Sequence, residues 1–132
     1  MDRLLDTHRF GPVHLRQPEV AAVVRSSIQH CAAIDYELHA WVIMPNHVHL
    51  LITPVTPVSF FLRRLKGFSA RAANQLLGQT RQPFWQEESY DHLVRTPKEF
   101  RNIERYIVAN PVGAGLVSCV EDYPWSSATN GI

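Results

Sequence analysis

Two histidines separated by one residue, His47 and His49, are the side chains whose spacing best suits metal chemistry. The surrounding residues 41–53 are mostly apolar and β-branched, which predicts a β-strand. Positions i and i+2 of a strand share one face, so the two imidazoles could hold a metal ion together. Val48 would point the other way, into a core. The competing interpretation is a pair of surface histidines on a half-exposed strand.

A second candidate group is Tyr106 with Asn110, which lie one turn apart on one face of a predicted helix. A tyrosine hydroxyl can act as a nucleophile and form a covalent intermediate. A free phenol has a pKa of about 10, so it needs a good electrophile and help from a metal at neutral pH. The amide oxygen of Asn110 could complete a coordination shell begun by the histidines. Alternatively, Tyr106 is a core aromatic residue and Asn110 only ends the helix before Pro111.

The composition is that of an ordinary globular domain. A chain of 132 residues predicts a single domain over 1–132, and 45% hydrophobic residues suffice for one sizeable core. The net charge of +1 creates no strong field for a polyanionic partner. The 13 basic residues are nevertheless 11 Arg and 2 Lys. Arginine binds phosphate in a planar, two-pronged manner, although genomic bias explains the ratio equally well.

The cysteines and the apolar stretches indicate where the protein acts. Cys31 and Cys119 form no disulfide framework, which favours a reducing cytosol. No stretch approaches the roughly 20 apolar residues of a membrane span. Residues 1–6 are charged and lack the apolar run of a signal peptide. We therefore expect a soluble, cytoplasmic protein with no membrane partner.

Turn and capping residues divide the first two thirds of the chain. A helix is predicted from Pro18 to about residue 31, followed by a hairpin of strands 36–44 and 47–53 joined at Pro45-Asn46. A long helix over 60–77 should be capped by Ser59 and stopped by Gly78.

The last third should contain a short strand at 90–94 and a second capped helix. Thr96 as N-cap, Pro97 and Glu99 mark the start of that helix, and Asn110-Pro111 should end it. The sequence of residues 123–127 indicates a turn that leads into a short terminal helix.

The order of these elements predicts an α+β fold. It suits a ferredoxin-like antiparallel sheet packed by helices, with an extra C-terminal helix that carries the tyrosine. The first strand of such a sheet is weak or missing here. Residues 1–10 are the only place for it, and they are short and charged for a central strand.

These motifs together resemble a known family. Residues 41–51, from Trp41 to Leu51, look like the histidine–hydrophobic–histidine (HUH) segment of single-tyrosine transposases, and residues 106–117 look like their tyrosine helix. Phe84-Trp85-Gln86-Glu87 and residues 122–127 resemble the branch called REP-associated tyrosine transposases. The similarity covers roughly residues 10–128.

The resemblance implies an enzyme that cleaves single-stranded DNA and transfers strands through a 5′-phosphotyrosine. It implies Tyr106 as nucleophile, with His47, His49 and Asn110 as metal ligands. Tyr90 is the rival nucleophile, but it lacks the helical pairing. The resemblance points to Mg²⁺ or Mn²⁺, whereas the donor atoms alone would also suit Zn²⁺.

Single-stranded or hairpin DNA is the expected partner of a monomer or homodimer. The residues expected to bind DNA are Arg63, Arg64, Lys66 and Arg71 of the long helix, with Arg81 and Trp85 in the loop that follows. Trp85 could stack on a base. The alternative for the basic face is an ordinary solvated helix surface.

Two departures from the family leave a second function open. The first strand is weak, and Gly113 stands where this branch commonly has arginine. A decayed or domesticated copy would bind hairpin DNA without cutting it. A replication initiator or relaxase is disfavoured, because those often place the tyrosine before the histidines.

Overall fold

The computed structural model describes residues 2–8, 14–79, 84–85 and 89–130, which form a four-stranded sheet with helices on both faces. Its elements are β1 (Arg3–His8), α1 (Pro18–Ala32), β2 (Tyr36–Ile43), β3 (His47–Pro54), α2 (Val58–Leu77), β4 (Ser89–Leu93), α3 (Pro97–Gly113) and α4 (Ser127–Asn130). The strand order is β2-β3-β1-β4, and every neighbouring pair is antiparallel. The predicted ferredoxin-like α+β fold is confirmed, with α3 as the extra helix that carries Tyr106.

The first strand is present, so the prediction that it is weak or missing is wrong. β1 lies in the centre of the sheet, between β3 and β4. Leu5 is fully buried in the core on one face of the sheet, and Leu4 packs against the core on the other. A central strand is stabilised by hydrogen bonds from both neighbours, and these leave no pattern in the local sequence. The charged residues of β1 therefore did not predict a strand, although pairing with β3 and β4 stabilises one there.

The two faces of the sheet carry different helices. α1 and α2 pack together on one face, over a core that includes Val48 and Leu50 of β3. α3 packs on the opposite face, where Ile107 meets Leu51 of β3 and Val42 of β2. Because side chains alternate along a strand, the odd-numbered positions of β3 belong to the α3 face. This assigns His49 to the same face as the tyrosine helix.

The helix boundaries follow the predictions with two exceptions. α2 begins at Val58 after Pro57, so Ser59 lies inside the helix and is not its cap. α3 begins as predicted, with the Thr96 hydroxyl accepting from the Glu99 amide at 3.1 Å. It does not end before Pro111 but continues to Gly113. Pro111 is buried near the end of the helix. A proline lacks the backbone N–H of one helical hydrogen bond, and only two residues of the helix follow it.

The buried face of α2 includes a polar residue, and two of its large apolar side chains are exposed. Phe61, Leu65 and Ser69 face the core, while Phe68 and Leu76 are more than half exposed. The Ser69 hydroxyl donates to the Leu65 carbonyl at 2.7 Å, which satisfies a polar group in the core. Gly78 ends the helix as predicted, with a φ of 67° that favours glycine.

The segment after α3 closes the outer edge of β2. The Tyr123 hydroxyl donates to the Ile43 carbonyl at 2.5 Å, and the Ile43 amide donates to the Trp125 carbonyl at 2.8 Å. Ser126 forms an isolated antiparallel bridge with Val42 and leads into α4. The predicted turn into a terminal helix is confirmed, and these bonds occupy backbone groups that would otherwise be an open sheet edge.

Replacing Tyr123 with phenylalanine should weaken the protein at neutral pH and change its response to alkali. Loss of the bond to Ile43 should lower the unfolding free energy by about 1 kcal/mol. Burial raises the pKa of Tyr123 to about 12, above the value of about 10 expected in the unfolded chain. The folded state therefore holds this proton more tightly, and the resulting stability is lost as the pH rises from about 10 through 12.

Urea titrations at pH 7 and pH 11 measure both effects. Tyr123→Phe should lose less stability than the parent between these two values. Part of the loss should remain, because burial also raises the pKa of Tyr36. Identical alkaline losses in parent and variant would contradict this role for Tyr123.

Candidate active site

A tight hairpin fixes the first histidine of the site. Three residues, Met44, Pro45 and Asn46, connect β2 to β3, and the Met44 amide donates to the His47 carbonyl at 2.8 Å. The Leu15 amide donates to the Pro45 carbonyl at 3.0 Å, which holds the turn from outside the hairpin. His47 is therefore the first residue of β3, at a point where the backbone is held from two sides.

The two imidazoles lie side by side, as their spacing predicts. The ring centroids of His47 and His49 are 4.8 Å apart, with the ring planes at 83°. The expected shared face is confirmed by this contact. His49 is only 5% exposed, so the alternative of two surface histidines does not describe it. His47 remains partly exposed, which leaves the pair open to solvent on one side.

A side-chain hydrogen bond orients the His47 ring. The Nδ1 atom of His47 lies 2.8 Å from the Oδ1 atom of Asn46. A carbonyl oxygen only accepts, so this ring nitrogen is the donor and carries the proton. The other ring nitrogen, Nε2, then has the lone pair that a metal ion requires.

The tyrosine helix brings Tyr106 against the second histidine. The ring centroids of Tyr106 and His49 are 5.6 Å apart, and the rings meet edge to face at 71°. Tyr106 is 54% exposed, which excludes the alternative of a core aromatic residue. Ile107, the next residue, is fully buried, and its packing sets the rotation of α3. Asn110 is partly buried one turn further along the same helix.

The rival tyrosine lies on a more distant strand. The Cα atom of Tyr90 in β4 pairs with that of Asp6 in β1, and Asp6 pairs in turn with His49 in β3. One strand therefore separates the backbone of Tyr90 from that of His49, a distance of roughly 10 Å. The ring of Tyr106 is in contact with that of His49.

The donor atoms of the site fit a metal with an incomplete protein shell. Among the described residues, no group of three or more His, Cys, Asp or Glu side chains could hold a metal ion. The candidate donors are the imidazoles of His47 and His49 and the amide of Asn110. Nitrogen and neutral oxygen donors suit Mn²⁺, and positions left open can accept water or substrate oxygens.

The residues of α2 that were expected to bind DNA lie on the other face of the sheet. Arg63 and Arg71 are exposed on α2, which packs against the face opposite the histidines. Arg64 pairs with the carboxylate of Asp35, which is 1% exposed and also accepts from the Thr56 hydroxyl at 3.0 Å. Arg64 therefore has a structural partner. Its DNA role, like those of Arg63 and Arg71, stays a prediction.

The other expected DNA contacts differ in their surroundings. Burial lowers the pKa of Lys66, which borders a small cavity together with Trp85. Trp85 is partly buried, and its indole N–H donates to the Ser69 hydroxyl at 2.8 Å. A base that stacks on Trp85 would have to use the part of the ring that stays exposed. Arg81 lies outside the described residues.

Sequence reasoning missed the basic residues of α3 itself. Arg101 and Arg105 are exposed on the helix that carries Tyr106, and Arg105 donates to the Asn102 side chain at 2.5 Å. Their four-residue spacing next to the tyrosine could have indicated them. It also missed the bond between His92 of β4 and Glu99 of α3, at 2.7 Å, which attaches the start of α3 to the sheet edge.

Comparisons with known proteins agree with this geometry. The sequence model of the family described as IS200-like transposases matches residues 14–110. A Haemophilus influenzae protein assigned as a REP-associated tyrosine transposase is 31% identical over 110 residues, covering 75% of this chain and 62% of that protein. The REP-associated tyrosine transposase of Escherichia coli is 29% identical over 92 residues, covering 70% and 54%.

A solved structure extends the similarity to the fold. The structure of a REP-associated tyrosine transposase bound to a REP hairpin superposes with a TM-score of 0.75 at 25% identity. The match covers 96% of this chain and 75% of that chain.

A histidine pair on a central strand, facing a helix with an exposed tyrosine, defines the class of single-tyrosine HUH transposase domains. The chain belongs to the IS200-like transposase family, and its similarity is to the REP-associated tyrosine transposases within it. The chain spans about three fifths of the Haemophilus influenzae relative and just over half of the Escherichia coli one. Within the described part of the chain, no helix is long and apolar enough to cross a membrane.

Replacing Arg64 with alanine should destabilise the fold, whatever its effect on DNA. The buried carboxylate of Asp35 would lose a charged donor, which should cost roughly 1–3 kcal/mol of unfolding free energy. Arg63→Ala on the same helix is the matched control and should change stability by no more than about 0.5 kcal/mol. Urea unfolding of both variants measures the difference. Equal stability of the two would show that the Asp35 contact contributes nothing.

Proposed function

We propose that this protein cleaves single-stranded DNA and transfers the cut strand through a covalent 5′-phosphotyrosine on Tyr106. The observation that carries the proposal is the contact of the exposed Tyr106 ring with the buried His49 ring. A nucleophile beside a pair of candidate metal ligands is an arrangement that suits phosphoryl transfer to a protein side chain. The family supports a transposase at a coarser level.

The reaction would proceed by displacement at phosphorus. The Tyr106 oxygen forms a bond to a backbone phosphorus and loses its proton to solvent. The bond from phosphorus to the 3′ oxygen breaks, and that oxygen leaves as a 3′ hydroxyl after taking up a proton. A second 3′ hydroxyl can reverse the step and release the tyrosine, which joins the strand to a new end.

His47, His49 and Asn110 would hold the divalent metal, Mg²⁺ or Mn²⁺. A bound divalent cation neutralises charge that develops on a phosphate oxygen and orients the scissile bond. The contact of Asn46 with Nδ1 of His47 supports this assignment, because it puts the lone pair of the ring on Nε2. The partial exposure of His47 leaves room for a phosphate of the substrate to approach.

The proposed substrate is single-stranded DNA next to a hairpin. The REP-associated tyrosine transposase of similar fold is described as bound to a REP hairpin. The exposed guanidiniums of Arg101 and Arg105 lie on the tyrosine helix, where they could attract backbone phosphates. Arg63 and Arg71 would contact a part of the DNA that passes round the sheet to α2. In this proposal the protein acts in the cytoplasm. It works as a monomer or a homodimer.

A protein that binds hairpin DNA without cutting is the second candidate. One of its two grounds, a missing first strand, is removed by β1. The other is Gly113, which ends α3 on the exposed side of the molecule. A Cβ atom at this position would meet nothing within 4 Å, so packing does not require glycine there. An arginine is therefore sterically possible, and its absence is the observation that favours the second candidate.

Removal of both imidazoles should abolish binding of divalent metal. Because His49 is buried, the suitable variant combines His47→Ala with His49→Phe, which retains a ring against Tyr106. Calorimetric titration with Mn²⁺ should give binding heat for the parent and none for the variant. His30→Ala, an exposed histidine of α1 on the other face, is the control and should bind as the parent does. Equal binding by the double variant would place the metal site elsewhere.

Loss of the Tyr106 hydroxyl should abolish covalent capture of DNA but not binding. Tyr106→Phe keeps the ring that packs on His49 and removes only the nucleophilic oxygen. With Mn²⁺ and a labelled hairpin oligonucleotide that carries a single-stranded flank, denaturing electrophoresis should show a protein–DNA adduct for the parent. The variant should show none, while gel-shift affinity stays within about threefold.

Tyr90→Phe is the matched control and should retain the adduct. An adduct that persists in Tyr106→Phe and disappears in Tyr90→Phe would transfer the nucleophile to β4. A parent that binds the hairpin and forms no adduct would favour the second candidate.

A further inference from the structure

Asn46 makes a side-chain contact with His47 that the fold does not require. It is the last residue of the β2–β3 connection, and its Oδ1 atom lies 2.8 Å from the Nδ1 atom of His47. Asparagine is common in turns for backbone reasons alone, so its presence there needs no functional explanation. The direction of its side chain, onto the ring of a candidate metal ligand, is the feature that a turn does not require.

The contact determines where the single proton of a neutral imidazole resides. An amide oxygen has no proton to give, so it stabilises the tautomer in which Nδ1 carries the hydrogen. The lone pair is then at Nε2, and only this atom can donate to a metal. In the opposite tautomer, Nε2 carries the hydrogen and cannot bind a metal until that proton has moved.

The backbone keeps the amide in place without help from the metal. The Met44 amide bonds to the His47 carbonyl, and the Leu15 amide bonds to the Pro45 carbonyl. The two bonds hold the carbonyl groups of Pro45 and His47, the residues on either side of Asn46, and neither bond involves a ligand. The side chain is partly buried, which shields its bond to the ring from competing water.

We propose that Asn46 is a positioning residue that holds His47 in the Nδ1–H tautomer, which puts the ring lone pair on Nε2, the atom that would bind a divalent cation. The inference rests on the proposed function for the identity of the site. Partners of this kind, behind metal-binding histidines, typically contribute a factor of 10 to 100 in metal affinity. Asn46 touches neither the metal nor the DNA in this proposal, and it acts only through the ring of His47.

Two variants separate this role from that of an ordinary turn residue. Asn46→Gly keeps a residue that turns favour and removes the acceptor, whereas Asn46→Asp keeps both the turn preference and an acceptor oxygen. The first readout is the pair of ring-nitrogen chemical shifts of His47, measured by ¹⁵N NMR on the metal-free protein with neutral imidazoles. The parent and Asn46→Asp should show the Nδ1–H tautomer, and Asn46→Gly should lose it.

The second readout is the affinity for Mn²⁺ by calorimetry. Asn46→Gly should bind Mn²⁺ about 10- to 100-fold more weakly than the parent. Asn46→Asp should lose no more than about threefold in affinity. Melting temperatures show whether each variant is folded, and Asn46→Ala replaces the glycine variant if that one is not.

An unchanged His47 tautomer in Asn46→Gly would overturn the proposal, as would a loss of Mn²⁺ affinity equal in both variants. A parent that binds no Mn²⁺ would instead contradict the proposed metal site. The NMR readout would then still decide whether Asn46 sets the tautomer, so the two failures are distinguishable.

Discussion

The alternation of side chains along β3 is the constraint on which the rest of the structure depends. Val48 and Leu50 enter the core beneath α1 and α2, so His47 and His49 must face the opposite layer. A shift of one residue in the pairing of β3 would exchange these sets and place the imidazoles in the apolar core. β3 is hydrogen-bonded on both sides, to β2 and to β1, and both registers therefore protect the orientation of the histidines.

The tyrosine helix is positioned by the residue next to the proposed nucleophile. Ile107 is fully buried on the histidine face of the sheet, and burial of a side chain of this size contributes roughly 1.5–3 kcal/mol. Adjacent positions of a helix point about 100° apart, so anchoring Ile107 turns Tyr106 towards the rim of the core. There its ring touches His49 while more than half of its surface stays accessible. The bond between His92 and Glu99 attaches the beginning of α3 to β4. A substrate can therefore reach a tyrosine whose helix is already in place.

The sheet also separates two groups of basic residues that a sequence cannot distinguish. Those of α2 lie on the face of the sheet opposite the histidines. One of them, Arg64, forms an ion pair with the buried carboxylate of Asp35. Those of α3 lie on the helix of the proposed nucleophile. Charge alone does not locate a nucleic-acid surface, because arginine serves equally well as the partner of a buried acid. DNA that contacts both groups would have to pass round an edge of the sheet.

Local patterns determined much of this protein. The i, i+2 histidines within a β-branched run, the Thr96 cap and the glycine at position 78 predict their elements correctly, because each depends on contacts within a few residues. Only the tertiary structure decided the rest. β1 depends on hydrogen bonds to two distant strands, and α3 continues through Pro111 because that residue is buried near the helix end. The ring contact of His49 with Tyr106 joins residues 57 positions apart, and the pairing of Arg64 with Asp35 joins residues 29 positions apart. No local pattern contains such contacts, since they form only when the layers pack.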